Sequence, residues 1–591
     1  MLKMGEIQSL FSFTGLLILL ILITLFLGIQ ERRKTREKLH QSLGGGFGKP
    51  SSKKTQPERY AQIPQYYLHH RQGGEIDDIT WNDLDLDDLY RVMDNTCSAS
   101  GEEYLYYLLR TPCMRAEDIA FSQEQYDWFS DSAHENERIR LQEILSNLGH
   151  AGRYSLYDYI DFTKALGERS NTGHYIAAAL PFAAFGLMFV HTGIGVIAVI
   201  AVLAFNLVTY FKEKGRIGPY FQVFSYILRL LDCAGELEKA DCQAVRGDTA
   251  RIPDLLKKFS SFRRGSGLLL GSGSGNSDIF GIILEYVRIL FHLDLIKFNS
   301  MLKQLRGRQK EIDALLTITG RIDACISIAS WRQTLPYFAV PKLHEEIDFS
   351  VQDLYHPLLA EPVSNSMETA RPVLLTGSNA SGKSTFLKAA AICALMSQTV
   401  GFAPARVYRG SCYRIYTSMA LRDSLQEGES YFIVEIKSLR RILQAAGSVH
   451  TEEAGIKKAD SVKADSDNRN SEHVSNPVLC CIDEVLRGTN TVERIAASAE
   501  ILRCFASTKT LCFAATHDLE LTGILGDVYD NYHFSEEIVD GDVRFSYRIM
   551  PGPSTSCNAI ALLNALGYDK SIVRQAQYRA DAFLISGTWH Q

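Results

Sequence analysis

The sequence lacks a Cys-x-x-Cys pair among its twelve cysteines, an excess of positive charge, and any repeat of solenoid length. The first absence leaves no sign of a dithiol redox centre or a cysteine-rich zinc ribbon. Cys480 and Cys481 fall inside an apolar run and read as small core residues, which fits a reducing cytosol. A net charge of −6 removes any global nucleic-acid footprint, so a DNA-binding surface would have to be a local patch. Without a repeat, a stacked array is excluded. What is present is ordinary for globular protein, with 22% charged and 46% hydrophobic residues. The 591 residues exceed what one core can organise and suggest about three to four domains.

Two apolar regions stand out. Leu10 to Ile29 carries no charge and is rich in Leu and Ile, long enough for the roughly 30 Å hydrocarbon layer of a bilayer. It reads as a retained anchor over 1–30. A cleaved signal peptide is the competing reading, against which stand the length of the run and the lack of an A-x-A-like site. Arg32, Arg33, Lys34, Arg36 and Lys38 follow and place this side in the cytoplasm. The second region, Tyr175 to Phe211, is broken only by His191-Thr192-Gly193 and is followed by Lys212, Lys214 and Arg216. It predicts a transmembrane hairpin over 171–212, with a buried soluble hairpin as the alternative. About three spans would put every large segment on the cytoplasmic side of the cell (inner) membrane, as a multi-pass protein.

Residues 31–74, basic and rich in Gly, Ser, Lys and Pro, predict a flexible linker whose charge suits anionic lipid or nucleic acid. The following stretch, Glu75 to Asp88, is acidic and would repel a phosphate backbone. Helical spacing dominates 75–170 and 213–345, broken by a Gly-Ser loop over Gly265 to Gly275. Ile279 to Ile296 is apolar, yet Glu285, Arg288 and Asp294 favour a packed soluble helix. From about 346 to 591 short apolar strands alternate with helices, the pattern of a mostly parallel sheet. A polar insertion without fixed structure is expected near 446–476.

Gly377-Ser378-Asn379-Ala380-Ser381-Gly382-Lys383-Ser384-Thr385 follows the apolar Val373-Leu374-Leu375. This is a phosphate-binding loop between a strand and a helix: the glycines turn backbone N–H groups inward, Lys383 neutralises β/γ charge, and the Ser384 hydroxyl reaches Mg²⁺. ATP and Mg²⁺ are the expected cofactors. Val478 to Ile482 is a buried strand ending in Asp483-Glu484, which suits a metal-orienting carboxylate beside a water-polarising one. Thr510 to Ala515 ends at Thr516-His517, placing an imidazole at the edge where a γ-phosphate would lie.

These elements together resemble the ATPase domain of the MutS family of DNA mismatch-repair proteins. Thr376 to Thr385 resembles its P-loop, with Ser378 where the family has proline; Asp423-Ser424-Leu425 and Gly428 to Glu435 resemble its signature segment; Asp483 to Thr491 its Walker B and following loop; Thr516-His517 its switch; and Tyr547 to Ser554 its tail. The resemblance implies an α/β P-loop NTPase domain of the ABC type, MutS kind, preceded by an all-α core and lever region with transmembrane helices. It also implies that Tyr355, His356 and Asn365 hold adenine, and that Ser430 reaches the nucleotide of a partner in a homodimer. The signature departs from the family in Glu429-Ser430-Tyr431. Asn95 to Pro112 is similar to the opening of the helical core. The family's Phe-x-Glu wedge, which would unstack a base step, has no counterpart near the N-terminus; the one similar string, Phe534-Ser535-Glu536, lies beyond the switch histidine.

Two functions follow as expectations. One is a membrane-anchored ATPase whose dimer clamps DNA independently of sequence, related to mismatch repair but without mismatch readout. The alternative is an ATP-driven mechanical clamp on a membrane or protein partner. An ABC transporter is disfavoured by the missing L-S-G-G-Q. In either case Lys383, Glu484 and His517 are the expected catalytic residues, and Ser384 and Asp483 the expected metal ligands.

Overall fold

The computed structural model describes residues 26, 28, 30, 31, 33–53, 56–149, 155, 157, 169–264, 279–378, 381–419, 431–447, 476–539, 542–554, 560, 563 and 567–586. Most of the span expected at 10–29, the Gly-Ser loop and nearly all of the insertion lie outside these residues.

The N-terminal half is helical. Its named elements are α1 (Asp78–Asp83), α2 (Ala99–Arg110), α3 (Thr172–Val190), α4 (Thr192–Ile217), α5 (Phe221–Ala240) and α6 (Gln309–Arg332). Helices α2 and α6 cross closely because a side chain is missing at the crossing: a Cβ on Gly320 would lie 2.5 Å from the Ser100 carbonyl oxygen. Asp323 of α6, 1% exposed, accepts hydrogen bonds from Cys97 N (2.9 Å), Ser98 N (2.8 Å) and Ser98 Oγ (2.5 Å), so its carboxylate caps the start of α2.

The stretch expected to be a flexible linker is a correction. Residues 33–46 are helical, and Arg36 and His40 both reach Glu143, at 3.0 and 3.1 Å. Further on, Lys53 pairs with Asp94 (3.0 Å) and Arg59 with Glu102 (2.9 Å). Composition suggested a solvated chain, but Lys53 and Arg59 are counter-ions for the buried Asp94, just before α2, and Glu102, in its first turn, and leaving these carboxylates unpaired would be costly.

The acidic stretch also finds partners within the fold. Asp77 caps α1 through Thr80 N (2.8 Å) and pairs with Arg441; Asp85 pairs with Lys388. Asp83, buried, accepts from Thr417 Oγ1 (2.8 Å) and Met419 N (2.9 Å). The carboxylates therefore bind the helical half to the domain that follows, and α1 covers an edge strand that would otherwise expose backbone.

Helices α3 and α4 form an antiparallel hairpin. At 19 and 26 residues they are long and apolar enough to cross a membrane. The apolar side chains face outward, with Phe189 80%, Ile197 70% and Phe182 69% exposed. Near the hairpin's base the buried Asn206 donates to Ala177 O (2.8 Å) and Leu290 O (3.0 Å). The apolar run expected as one helix over Ile279 to Ile296 is two, Ile279–Leu290 and Leu293–Leu305, interrupted at His292, whose φ is 54°.

The C-terminal half contains β1 (Lys342–His344), β2 (Phe349–Leu354), β3 (Asn365–Thr369), β4 (Val373–Thr376), α7 (Lys383–Thr399), β5 (Val407–Ser411), β6 (Arg414–Ser418), α8 (Tyr431–Ala445), β7 (Val478–Asp483), α9 (Thr491–Ala506), β8 (Thr510–Ala515), β9 (Asp530–Val539) and β10 (Asp542–Pro551). A six-stranded sheet has the order β10-β9-β4-β8-β7-β6, parallel except for β10; a smaller sheet has the order β1-β5-β2-β3. Strands β4 and β8 are buried at every position, as expected for a parallel sheet covered on both faces. The mostly parallel α/β arrangement expected from the strand pattern is what forms.

Candidate functional site

The register of the large sheet assembles the site. Leu375 of β4 pairs with Ala515 of β8, and Ala515 pairs with Asp483 of β7. Three adjacent strands thus end side by side, and their following loops carry Gly377 to Ser384, Asp483-Glu484 and Thr516-His517. This is the carboxyl edge where open α/β sheets bind ligands.

The loop after β4 has the backbone that a phosphate cradle requires. Gly377 and Gly382 adopt φ of 136° and 104°, and a Cβ on Gly377 would stand 3.0 Å from both Phe534 O and Ser381 Oγ. Gly382 opens α7, so the helix N-terminus faces the loop. Lys383, 2% exposed, donates through Nζ to Gly377 O (2.6 Å) and Ser378 O (2.7 Å), which holds the ammonium over the loop. Ser381 Oγ donates to Ser378 O (2.7 Å). Asn379 and Ala380 lie outside the described residues, as does Ser430.

Ser384 Oγ, in the first turn of α7, donates to Asp483 Oδ2 at the end of β7 at 2.5 Å, joining the two expected metal ligands. Among the described residues no group of three or more His, Cys, Asp or Glu side chains could hold a metal. One hydroxyl and one carboxylate suit Mg²⁺, which keeps several waters and takes phosphate oxygens as its other ligands.

Glu484 follows with φ of 61°, in the left-handed region, and its N–H donates to Ala515 O (2.9 Å). The carboxylate has two cationic or polar neighbours: His517 Nε2 at 3.1 Å from Oε1, and Arg487 Nε at 2.6 Å from Oε2. Burial is the largest single influence and pushes the carboxyl up, but the His517 hydrogen bond and the charges of Arg487, His517 and Lys383 outweigh it and hold the group below its ordinary range. Glu484 therefore stays ionised, as a base must. The structure places the His517 ring on Glu484, which the sequence did not foretell.

Beside Gly382 and Thr385 opens a pocket of about 170 Å³, lined also by Tyr355, His356, Asn365, Phe386 and Tyr547. The residues expected to hold adenine therefore do meet at the P-loop. Asn365 is committed to the protein: its Nδ2 donates to Tyr547 O (3.0 Å) and its Oδ1 accepts from Ile549 N (2.8 Å). Those bonds fix a bulge in β10 where Tyr547 has φ of 54°, with its ring 3.2 Å from the Cβ position of Gly382. Tyr547 is an aromatic wall of the pocket that sequence reasoning missed, because a bulge that re-aims a side chain leaves no periodic signal.

His356, buried, is pushed down to about 4 by burial first and by the Lys388 charge next, with Asp85 opposing. Its folded-state value lies below the ordinary one of 6.5, so on acidification the unfolded chain takes up a proton that the folded chain refuses. The stabilisation is present above pH 6.5 and is lost as pH falls toward 4. Thermal melts should show the His356→Gln variant losing about 2 kcal/mol less than wild type between roughly pH 7 and 5; parallel losses would show that His356 does not titrate as described.

Residues 373–450 and 470–583 match the family model described as MutS domain V. The chain is 29% identical over 254 residues to the DNA mismatch repair protein MutS of Oleidesulfovibrio alaskensis, covering 40% of this chain and 25% of that protein. It is 28% identical over 217 residues to the protein of the same name from Thermus thermophilus, covering 36% of this chain and 23% of that protein. The chain thus spans about a quarter of the length of the curated relatives it matches. The matched region contains the P-loop, the Asp483-Glu484 strand end and His517, so it is over this C-terminal region that the chain is similar to domain V of the MutS family.

Proposed function

We propose that the chain is a membrane-anchored, MutS-type ATPase in which ATP binding and hydrolysis drive a dimeric clamp. The observation that carries this reading is the meeting of Lys383, the Ser384–Asp483 pair and the Glu484–His517 pair at the ends of three neighbouring strands. Lys383 and the loop amides bind phosphate; Ser384 and Asp483 hold the metal; Glu484 orients the attacking water and receives its proton. Bound Mg²⁺ supplies charge neutralisation at the phosphate oxygens. The pocket beside Gly382 takes the base, with Tyr355 and Tyr547 in its wall. Ser430 completing the site of a second copy remains part of the proposal.

The hairpin supports the membrane anchor. At 1.5 Å per residue, the 19 residues of α3 span about 28 Å, close to the hydrocarbon thickness. Lys214 and Arg216 at the end of α4 support a cytoplasmic position for that end and for the ATPase domain.

DNA is proposed as the clamped ligand, bound through its backbone without mismatch readout. ATP turnover of the detergent-purified full chain, measured with matched, mismatched and branched duplexes at several salt concentrations, tests this. Salt-sensitive stimulation that is equal for matched and mismatched duplexes is expected. Turnover without any DNA response would favour the second reading, a clamp on a membrane or protein partner, which the outward-facing apolar hairpin supports. Absence of Mg²⁺-dependent ATP turnover would end both readings.

A further inference from the structure

We infer that Glu435 of α8 is a positioning residue for Glu484, clamping the backbone of the loop after β7 so that the placement of α8 sets the geometry of the base. The inference rests on the role proposed above for Glu484.

Glu435 is 2% exposed, and its Oε1 accepts from Leu486 N at 2.5 Å and from Arg487 N at 3.4 Å. These amides follow a backbone that needs holding. Glu484 and Leu486 have φ of 61° and 60°, a region that non-glycine residues occupy at a cost and keep only when their surroundings over-determine it. The clamp acts on the base in two ways. It fixes the chain leaving Glu484, and it fixes the root of Arg487, whose Nε lies 2.6 Å from Glu484 Oε2.

The same helix grips the loop a second time. A Cβ on Gly488 would lie 3.1 Å from Phe432 Cβ, so α8 packs directly on the residue after the clamp. A shift of α8 would therefore move Leu486, Arg487 and Gly488 together.

The other oxygen, Glu435 Oε2, is buried and has no hydrogen-bond partner among the described residues. Burial pushes this carboxyl up, opposed by the amides of Leu486 and Arg487. A half-satisfied interior carboxylate is costly to keep, and a neutral amide would offer the same acceptor without the charge. That difference separates positioning from charge.

The experiment compares full-length wild type, Glu435→Ala and Glu435→Gln by ATP affinity, kcat, and hydrogen exchange of a peptide covering 484–490. Glu435→Ala should lower kcat about 30-fold with ATP affinity within about threefold, and should raise exchange in that peptide. Glu435→Gln, which keeps the acceptor, should restore kcat to within about threefold of wild type and restore protection. Full kcat in Glu435→Ala, an equal fall in affinity and kcat, or a Gln variant as impaired as Ala would overturn the inference. Should wild type show neither ATP binding nor turnover, the proposed function fails; exchange then decides the clamp, which stands if Glu435→Ala loosens 484–490 and falls if it does not.

Discussion

Lys383→Ala is expected to weaken ATP binding by about a hundredfold or more. The ammonium is buried and already makes two short bonds to the loop carbonyls of Gly377 and Ser378. A charge-assisted hydrogen bond contributes about 1.5–3 kcal/mol, so losing two such contacts to phosphate removes roughly 3–6 kcal/mol. Part of the effect arises before ATP arrives, because the loop loses the cation that ties its carbonyls together. Titration with a fluorescent ATP analogue measures it directly. Affinity within threefold of wild type, in a variant with unchanged circular dichroism, would discredit the phosphate-loop assignment.

Glu484→Gln should act on the other step. Glutamine keeps an oxygen able to accept from His517 but cannot take a proton from water, so turnover should fall about 10²–10³-fold while ATP still binds. The variant should accumulate the ATP-bound, closed dimer, visible as a larger species in multi-angle scattering when ATP is present. Because Arg487, His517 and Lys383 hold the wild-type carboxyl below its ordinary value of 4.5, the acidic limb of the kcat/KM profile should lie below that pH. Undiminished turnover in Glu484→Gln would remove this residue from the role of base, and the positioning role of Glu435 would lose its object.

Much of the site was legible because phosphate chemistry demands residues close together in the chain. A P-loop is nine consecutive residues whose glycines, lysine and hydroxyl follow from the geometry of a strand passing into a helix. Asp483-Glu484 and Thr516-His517 were legible for a related reason, since each ends a short, wholly apolar run. Roles that depend on a side chain crossing between elements were not. Asn365, expected at the base, lines the pocket and also holds the bulge that aims Tyr547, a bond the sequence did not indicate. Glu435 lay in a recognised motif without a task, since its partners are 51 and 52 residues away along the chain.

The upstream half shows the same division. Helical periodicity marked most of the helices, but composition misjudged one polar stretch. The basic residues near Lys53 look like solvated chain when counted, yet they find partners distant in sequence, as do the acidic residues near Asp83.

By itself, then, the sequence determined the nucleotide loop, the carboxylates at the strand ends, the parallel α/β pattern and two helices of membrane-crossing length, because each is encoded by spacing within a few turns of chain. Tertiary structure alone decided that Glu484 is held by His517 and Arg487, that Tyr547 walls the pocket beside Gly382, and that the charged N-terminal stretches dock on α2, β6 and α7. The reason is physical: a buried charge is stabilised by whichever opposite charge or amide the fold brings within about 3 Å, and no local pattern specifies that partner.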